Sequence, residues 1–320
     1  FAIIGAQKSG TTSMFRYLEK HPRIYMPPEK ELPFFSRDDL YEAGWPVLVQ
    51  TYFKDAASEK LWGTASPQYM TDPRTPERMA LANPDIRLIA LLRNPIDRAF
   101  SHYTMSLRRN MESRSFDQAV DDLLQPEELA RDREAIPPDY AEGYSQANTD
   151  VTRFYLVWSE YARALNRFLQ HFPREQLLVL YMEDMQREPQ ATVASVMTFL
   201  GLDPDFQPPN LGKVYHKGGG QQIIPAAWKE RVKSNRLFRL VWDRVPPRTR
   251  GNINYWYDQF NVRQAKETAA VTPTTEARQR LTTHFRDDVR QVEQLAGVFA
   301  NEGEVLGNEI RGTAAAVIGN

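Results

Sequence analysis

The first twenty residues restrict the fold more than any other stretch of the chain. An apolar run, Phe1-Ala-Ile-Ile4, enters a segment bounded by Gly5 and Gly10, and Met14, Phe15 and Leu18 then recur at helical spacing. Such an order predicts a short buried strand over Phe1–Gly5, a tight loop, and a helix over Thr11–Lys20. The unit recurs twice. Arg87–Leu92 is followed by Asn94-Pro95 and a helix from about Ile96, and Gln176–Tyr181 by Glu183-Asp184 and a helix near Pro189–Leu200. Proline is compatible with a helix start because the first-turn amides have no intrahelical acceptor. Continuous apolar strands alternating with helices imply an α/β fold, with a mostly parallel central sheet flanked by helices on both faces.

Between the second and third units the pattern predicts a helix over Phe116–Leu124, a proline-containing loop over Gln125–Asp139 and an amphipathic helix over Thr152–His171. Beyond Leu202 the texture changes to Asp-Pro and Pro-Pro, then His216-Lys-Gly-Gly-Gly220, with helices expected from Ala226 and over Thr275–Leu295. No fixed-period repeat interrupts this. The expectation is a single domain over 1–320, with its core in 1–202.

The phosphate chemistry begins in Gly5-Ala-Gln-Lys8-Ser9-Gly10-Thr11-Thr12. Loop amides and a helix N-terminus between a strand and a helix make a site for phosphate or sulfate oxygens. The glycine spacing matches the P-loop pattern G-x-x-x-x-G-K-[ST], but Thr11 stands where that lysine would be, and Lys8 lies inside the loop. A P-loop kinase would also be expected to carry an aspartate at a neighbouring strand end to hold Mg²⁺. Here the strand ends Leu91-Leu92-Arg93, a cation suited to bidentate contact with a phosphate monoester. Ser101, eight residues on, would add a hydroxyl from the following helix. Charge supports a local site only: 40 Lys and Arg against 41 Asp and Glu give a net charge of −1, offering no global attraction to nucleic acid.

Two segments, Gly5-Ala-Gln-Lys-Ser-Gly-Thr-Thr-Ser13 and Leu91-Leu-Arg-Asn-Pro95 through Asp97-Arg-Ala-Phe-Ser101, resemble the 5′-phosphosulfate loop and the 3′-phosphate motif of sulfotransferases. These enzymes use 3′-phosphoadenosine 5′-phosphosulfate (PAPS). The likeness is closest to the branch with the heparan sulfate sulfotransferases and bacterial relatives, and runs from Phe1 to about Leu202. It implies sulfuryl transfer from PAPS to an acceptor hydroxyl or amine, leaving 3′-phosphoadenosine 5′-phosphate (PAP), without a metal. By the resemblance, Lys8, Ser9, Gly10, Thr11 and Thr12 hold the 5′-phosphosulfate, and Arg93 and Ser101 the 3′-phosphate. Lys217, Gly218 and Gly219 resemble the loop that closes over the cofactor, although Gly219 replaces the family's usual basic residue. Lys8 would also stabilise the leaving phosphate. Lys30-Glu31-Leu-Pro-Phe-Phe35 is similar to the family's K-E-x-x-F-F segment, which makes Glu31 the general base, partly desolvated by the two aromatics.

Three histidines are weaker base candidates. His21 and His102 read as capping or packing residues, and His216 borders the glycine loop. Gly63-Thr-Ala-Ser-Pro-Gln-Tyr69 departs from the E-K-[ST]-P-x-Y segment of the heparan 3-O-sulfating enzymes, because Ala65 replaces the lysine and Thr64 the acid. Acceptor binding should therefore differ from theirs. Lys229–Arg250, with eight basic residues and two acids, could dock an anionic acceptor, an acyl-carrier domain or a membrane surface, but reads better as a helix with solvated arginines. The same holds for Arg108, Arg109 and Arg114. Expected partners are a small-molecule, lipid or saccharide acceptor and no nucleic acid. A nucleotide or nucleoside kinase and a non-catalytic nucleotide-binding module are the competing interpretations. The absence of cysteine excludes disulfides and Cys-ligated metals and leans towards a reducing, cytoplasmic setting. No signal peptide is visible, and no apolar run approaches the roughly 20 residues of a membrane span.

Overall fold

A computed structural model describes residues 1–57, 60–109, 111–137, 151–215, 220–222, 262–264 and 272–297. The strands are β1 (Ala2–Gly5), β2 (Ile24–Tyr25), β3 (Leu61–Trp62), β4 (Thr64–Ala65), β5 (Leu88–Leu92), β6 (Leu177–Tyr181), β7 (Gly220–Gln222) and β8 (Val262–Gln264). The helices begin with α1 (Thr11–Leu18), α2 (Asp38–Glu42), α3 (Trp45–Leu48), α4 (Thr75–Ala82), α5 (Pro95–Arg108) and α6 (Phe116–Leu123). They continue with α7 (Pro126–Glu134), α8 (Tyr161–Leu169), α9 (Met182–Arg187), α10 (Pro189–Leu200) and α11 (Thr275–Gly297).

The central sheet is parallel, in the order β4-β1-β5-β6. Its alternation assigns each side chain to a layer. Ala2, Ile4, Leu88, Ala90 and Leu92 face a core completed by Met79 of α4, by Ala162, Leu165 and Phe168 of α8, and by Phe34 and Phe35. Ile3, Ile89 and Leu91 face the opposite layer, filled by Met14, Phe15 and Leu18 of α1 and Val193, Val196 and Met197 of α10. Every residue of β5 is fully buried. Each large apolar side chain so enclosed contributes about 1.5–3 kcal/mol. The α/β sandwich expected from the repeated apolar runs is what forms, and it presents the strand ends carrying Gly5 and Arg93 side by side.

Two segments differ from the sequence expectation. The proline-containing stretch after Gln125 is helical over α7, because Pro126 starts the helix, Glu127 and Glu128 occupy its first turn and Arg131 and Arg133 its last, complementing the helix dipole. The helix expected from Thr152 begins only at Tyr161. Before it, Phe154, Tyr155, Leu156, Val157 and Trp158 are buried in succession, leaving no solvent face for an amphipathic helix. The chain there makes 3₁₀ turns over Val151–Arg153 and Val157–Ser159. The Tyr155 carbonyl accepts from the Arg98 guanidinium (3.2 Å) and the Ser159 hydroxyl (3.1 Å).

Helix α11 straps the site helix to the sheet. Leu281 and Phe285 are fully buried in the cluster containing Ile96, Ala99 and Tyr103 of α5, while Val292 joins the first core layer. Asp288 accepts from the Tyr161 and Ala162 amides, both at 2.9 Å, and so caps the start of α8. Burial and the nearby Glu160 raise the Asp288 carboxyl to about 6, although the two amides pull the other way. Burial works against Glu160 too, but His284 and Arg133 hold it down to about 2.

Asp288 therefore titrates higher in the folded chain than the roughly 3.9 of a free aspartate. A raised carboxyl contributes stability that is complete below the unfolded value and is lost as pH rises through the folded one. Urea denaturation of the wild type and Asp288→Asn from pH 5 to pH 7 should show the wild type losing stability relative to the variant across about pH 6. A pH-independent difference would contradict the assignment.

Candidate active site

The loop after β1 is fixed by its backbone. Ala6 N–H donates to the Leu91 carbonyl of β5 (2.6 Å), and Ser9 N–H turns back to the Ala6 carbonyl (3.2 Å). Lys8 and Gly10 both adopt left-handed conformations, φ 74° and 84°. A Cβ on Gly10 would stand 2.5 Å from the Cε of Met185, so this position combines a demanding φ with close packing. Gly10 is the N-cap of α1, with no side-chain cap and no acidic residue in the first turn. First-turn amides have no intrahelical acceptor, so the helix opens towards the loop with its positive end uncapped. Ser9 and Thr11 are buried here and Thr12 is half-buried. The Tyr161 hydroxyl lies against Ser9 and the Arg93 backbone, and burial raises its pKa.

Charge is the most informative property of the site. Burial first, and then the charges of Arg108, Arg109, Arg98 and Arg93, lower the Lys8 ammonium to about 7. The charges acting on it most strongly are all positive, and its Nζ lies 3.9 Å from the Met105 sulfur. Arg93, at the end of β5, is half-buried and forms no ion pair among the described residues. Arg98 is fully buried and donates to the Gln7 carbonyl (3.1 Å), the Tyr155 carbonyl (3.2 Å), Ser159 Oγ (3.1 Å) and His102 Nδ1 (2.7 Å). Ser101, Met105 and Arg108 follow one face of α5 at i, i+4 and i+7. That face runs from the Arg93 end of the helix past Lys8.

Arginines 108, 109 and 114 are expected as solvated surface, but Arg114 too is half-buried, paired with Glu112 (2.8 Å) and Asp122 (3.0 Å). Arg108 and Arg109 are half-buried and belong to the field around Lys8. Sequence spacing revealed neither these nor Arg98, although the i, i+4 relation of Arg98 to His102 was a usable signal.

Glu31 meets the loop across a small, open cleft lined by Gln7, Glu31, Pro67, Gln68, Thr71 and Trp158. The partial desolvation expected of it is not seen. Its side chain is 48% exposed and pairs with Lys30 at 2.9 Å, while Phe34 and Phe35 turn into the core. What holds Glu31 in place is its neighbour Leu32. Ser66 Oγ accepts from the Leu32 amide (2.8 Å) and donates to the Leu32 carbonyl (3.1 Å), which the Tyr69 hydroxyl also contacts. Ala65, where the heparan 3-O-sulfating pattern has lysine, is fully buried in the sheet.

His102 is sealed between Tyr155 and Trp158, and burial with the Arg98 charge drives its pKa well below the ordinary value. The neutral ring accepts at Nδ1 from Arg98 and does not reach the cleft. His21 accepts from the Arg23 amide (3.1 Å) at the end of α1 and packs on Phe206. His216, Lys217, Gly218, Gly219 and the Lys229–Arg250 stretch lie outside the described residues. Gly220 opens β7, which pairs antiparallel with β8 and packs against α5.

A family model of the sulfotransferase domain matches residues 1–282. The chain belongs to the sulfotransferase family. A crystal structure of a sulfotransferase from Alicyclobacillus acidocaldarius is similar across 92% of this chain and 94% of its own, at a TM-score of 0.61 and 26% identity. The membrane-associated sulfotransferase kil1 of Dictyostelium discoideum is 25% identical over 288 residues, covering 70% of this chain and 60% of that protein. Human heparan sulfate glucosamine 3-O-sulfotransferase 5 is 29% identical over 220 residues, covering 65% and 55%. The sulfotransferase chain thus spans little more than half the length of these two relatives.

Its loop conformation is testable without a ligand. Gly10→Ala should cost about 1–2 kcal/mol of stability, the strain of a left-handed non-glycine residue, plus any readjustment of Met185. Chemical denaturation measures it, and an unchanged midpoint would show that the loop does not need this geometry.

Proposed function

We propose that this sulfotransferase chain moves a sulfuryl group from PAPS to an acceptor hydroxyl or amine. One observation carries the proposal: a half-buried lysine in a left-handed loop, ringed by arginines, at an uncapped helix N-terminus. An unliganded cluster of this kind is electrostatically unfavourable and is relieved by an anion with several negative oxygens. PAP and PAPS carry two such groups, and the donor set fits both ends. Lys8, Ser9, Gly10, Thr11 and Thr12 would hold the 5′ side, and Arg93 and Ser101 the 3′-phosphate. Lys217, Gly218 and Gly219 would cover the nucleotide. When bound, PAPS supplies an activated sulfuryl group on a phosphate leaving group.

Lys8 is assigned the charge developing on that phosphate, since a donor already destabilised as a free cation gains most from a growing negative charge. The loop amides and Lys8 supply this without a metal ion. Glu31 is assigned the acceptor's proton: it faces the loop across the cleft, and its exposure leaves it accessible to an acceptor. The acceptor is a saccharide, lipid or small molecule. Relatives named for heparan sulfate favour a saccharide, and the substitution of Ala65 for the lysine argues for a different binding mode. A kinase is disfavoured by Thr11 in the P-loop lysine position and by the arginine at the end of β5.

Two measurements test the proposal. By calorimetry PAP should bind without Mg²⁺, and Lys8→Ala and Arg93→Ala should each weaken it at least tenfold, the loss of a charge-assisted contact worth roughly 1.5–3 kcal/mol. Because Lys8 titrates at about 7 and an anion favours its protonated form, wild-type affinity should fall from pH 7 to pH 8.5, and Lys8→Ala should flatten that slope. Unchanged affinity in both variants, or preferential binding of Mg-ATP, refutes the site. Separately, Glu31→Gln should leave PAP affinity intact and reduce turnover at least tenfold, within the roughly 10²–10⁴ range of general-base effects. Full turnover would remove Glu31 from the mechanism and make His216 the next residue to replace.

A further inference from the structure

We infer that the cleft between Glu31 and the phosphate loop is a subsite for an uncharged, hydroxyl-bearing acceptor, and that Gln68 is the residue that positions it. The inference rests on the transfer function proposed above. It adds the residue that orients the acceptor's hydroxyl.

Gln68 is 7% exposed and lines the cleft together with Glu31 and Gln7. Its backbone is immobilised: its carbonyl accepts from the Thr71 amide (3.1 Å), the Thr71 hydroxyl (2.9 Å) and the Asp72 amide (3.1 Å). Its side-chain amide, in contrast, has no hydrogen-bond partner among the described residues. A carboxamide on a rigid mount, left without a partner among the described residues and opening on a cleft, is set to receive a ligand group.

The chemistry of that group follows from the lining. A carboxamide offers one acceptor oxygen and two N–H donors, the complement of a hydroxyl or a pair of neighbouring hydroxyls, which both donate and accept. An anionic group here would face the Glu31 carboxylate. A hydroxyl can accept from the Gln68 NH₂ and direct its single proton to Glu31. Pro67 and Trp158 complete the lining, with the Trp158 ring itself stacked on His102 and Phe154. The turn that carries Gln68 also carries Ser66 and Tyr69, which grip Leu32 beside Glu31. Acceptor positioning and base positioning are therefore built on the same four residues, Ser66–Tyr69.

The full chain saturated with PAP is the material for the test, and the probes are methyl β-glucopyranoside and its fully O-methylated counterpart, followed by ligand-observed NMR. The free-hydroxyl probe should bind the wild type at least fivefold more tightly than the methylated one. Gln68→Met, close in volume and lacking the amide, should erase that preference while PAP affinity stays within twofold and the melting temperature is retained. A structural role alone would not move the preference between the two probes. A wild type that binds PAP but does not distinguish the probes, or a Gln68→Met variant that still does, overturns this inference and leaves the transfer function standing. A wild type that binds neither PAP nor probe overturns both.

Discussion

The guanidinium of Arg98 joins parts of the chain that are distant in sequence. It lies fully buried on the first turns of α5 and gives its protons to the phosphate loop at Gln7, to the 3₁₀ segment at Tyr155 and Ser159, and to His102 one turn along. Burying a charge is costly unless its hydrogen bonds are met, and here several acceptors converge on one planar fork. Three consequences follow. His102 is held neutral, the segment before α8 is tied to α5 through its Tyr155 carbonyl, and a fixed positive charge sits beneath the loop that carries Lys8.

That arrangement explains which parts of the fold were legible in the sequence. β1, β5 and β6 were readable because each is an apolar run buried on both faces, and their alternation into two layers requires nothing but a parallel sheet. α10 was readable because Pro189 and Gly201 mark its ends, the latter in a left-handed C-cap. Residues 152–160 were not, because their structure is set by Arg98 and by burial on every side. α7 is obscured for a local reason: Pro126 reads as a loop signal, whereas the acids behind it make it a helix start. Composition could not separate these cases, whereas the charge order along the segment could.

The site divides in the same way. Lys8 and Arg93 stand out in sequence because a loop between glycines and a strand end are fixed points of the topology. Arg108 and Arg109 do not, since their relation to Lys8 depends on how α5 crosses the loop, and a basic pair at a helix end ordinarily marks solvent. Glu31 was named through its likeness to a known segment, but the reason it faces the loop lies elsewhere, in Ser66 and Tyr69 more than thirty residues away. Neither polar residue signals such a role from its position.

Gln7 links the two halves. Its carbonyl is bound by Arg98 on the cationic side, and its side chain lines the cleft that holds Glu31 and Gln68. In-line displacement needs the leaving group and the nucleophile held on opposite sides of one atom, and errors of about 1 Å are costly. A loop fastened from below by a buried arginine and faced by a base fastened through its neighbour's backbone provides two rigid supports with a gap between them. The charge alternates across that gap, with cations behind the loop and a carboxylate opposite. A neutral carboxamide beside the carboxylate can orient an acceptor without neutralising either end, whereas a lysine there would partly cancel the field that separates base from leaving group. With Ala65 buried in the sheet and Gln68 in the cleft, this chain preserves that polarity.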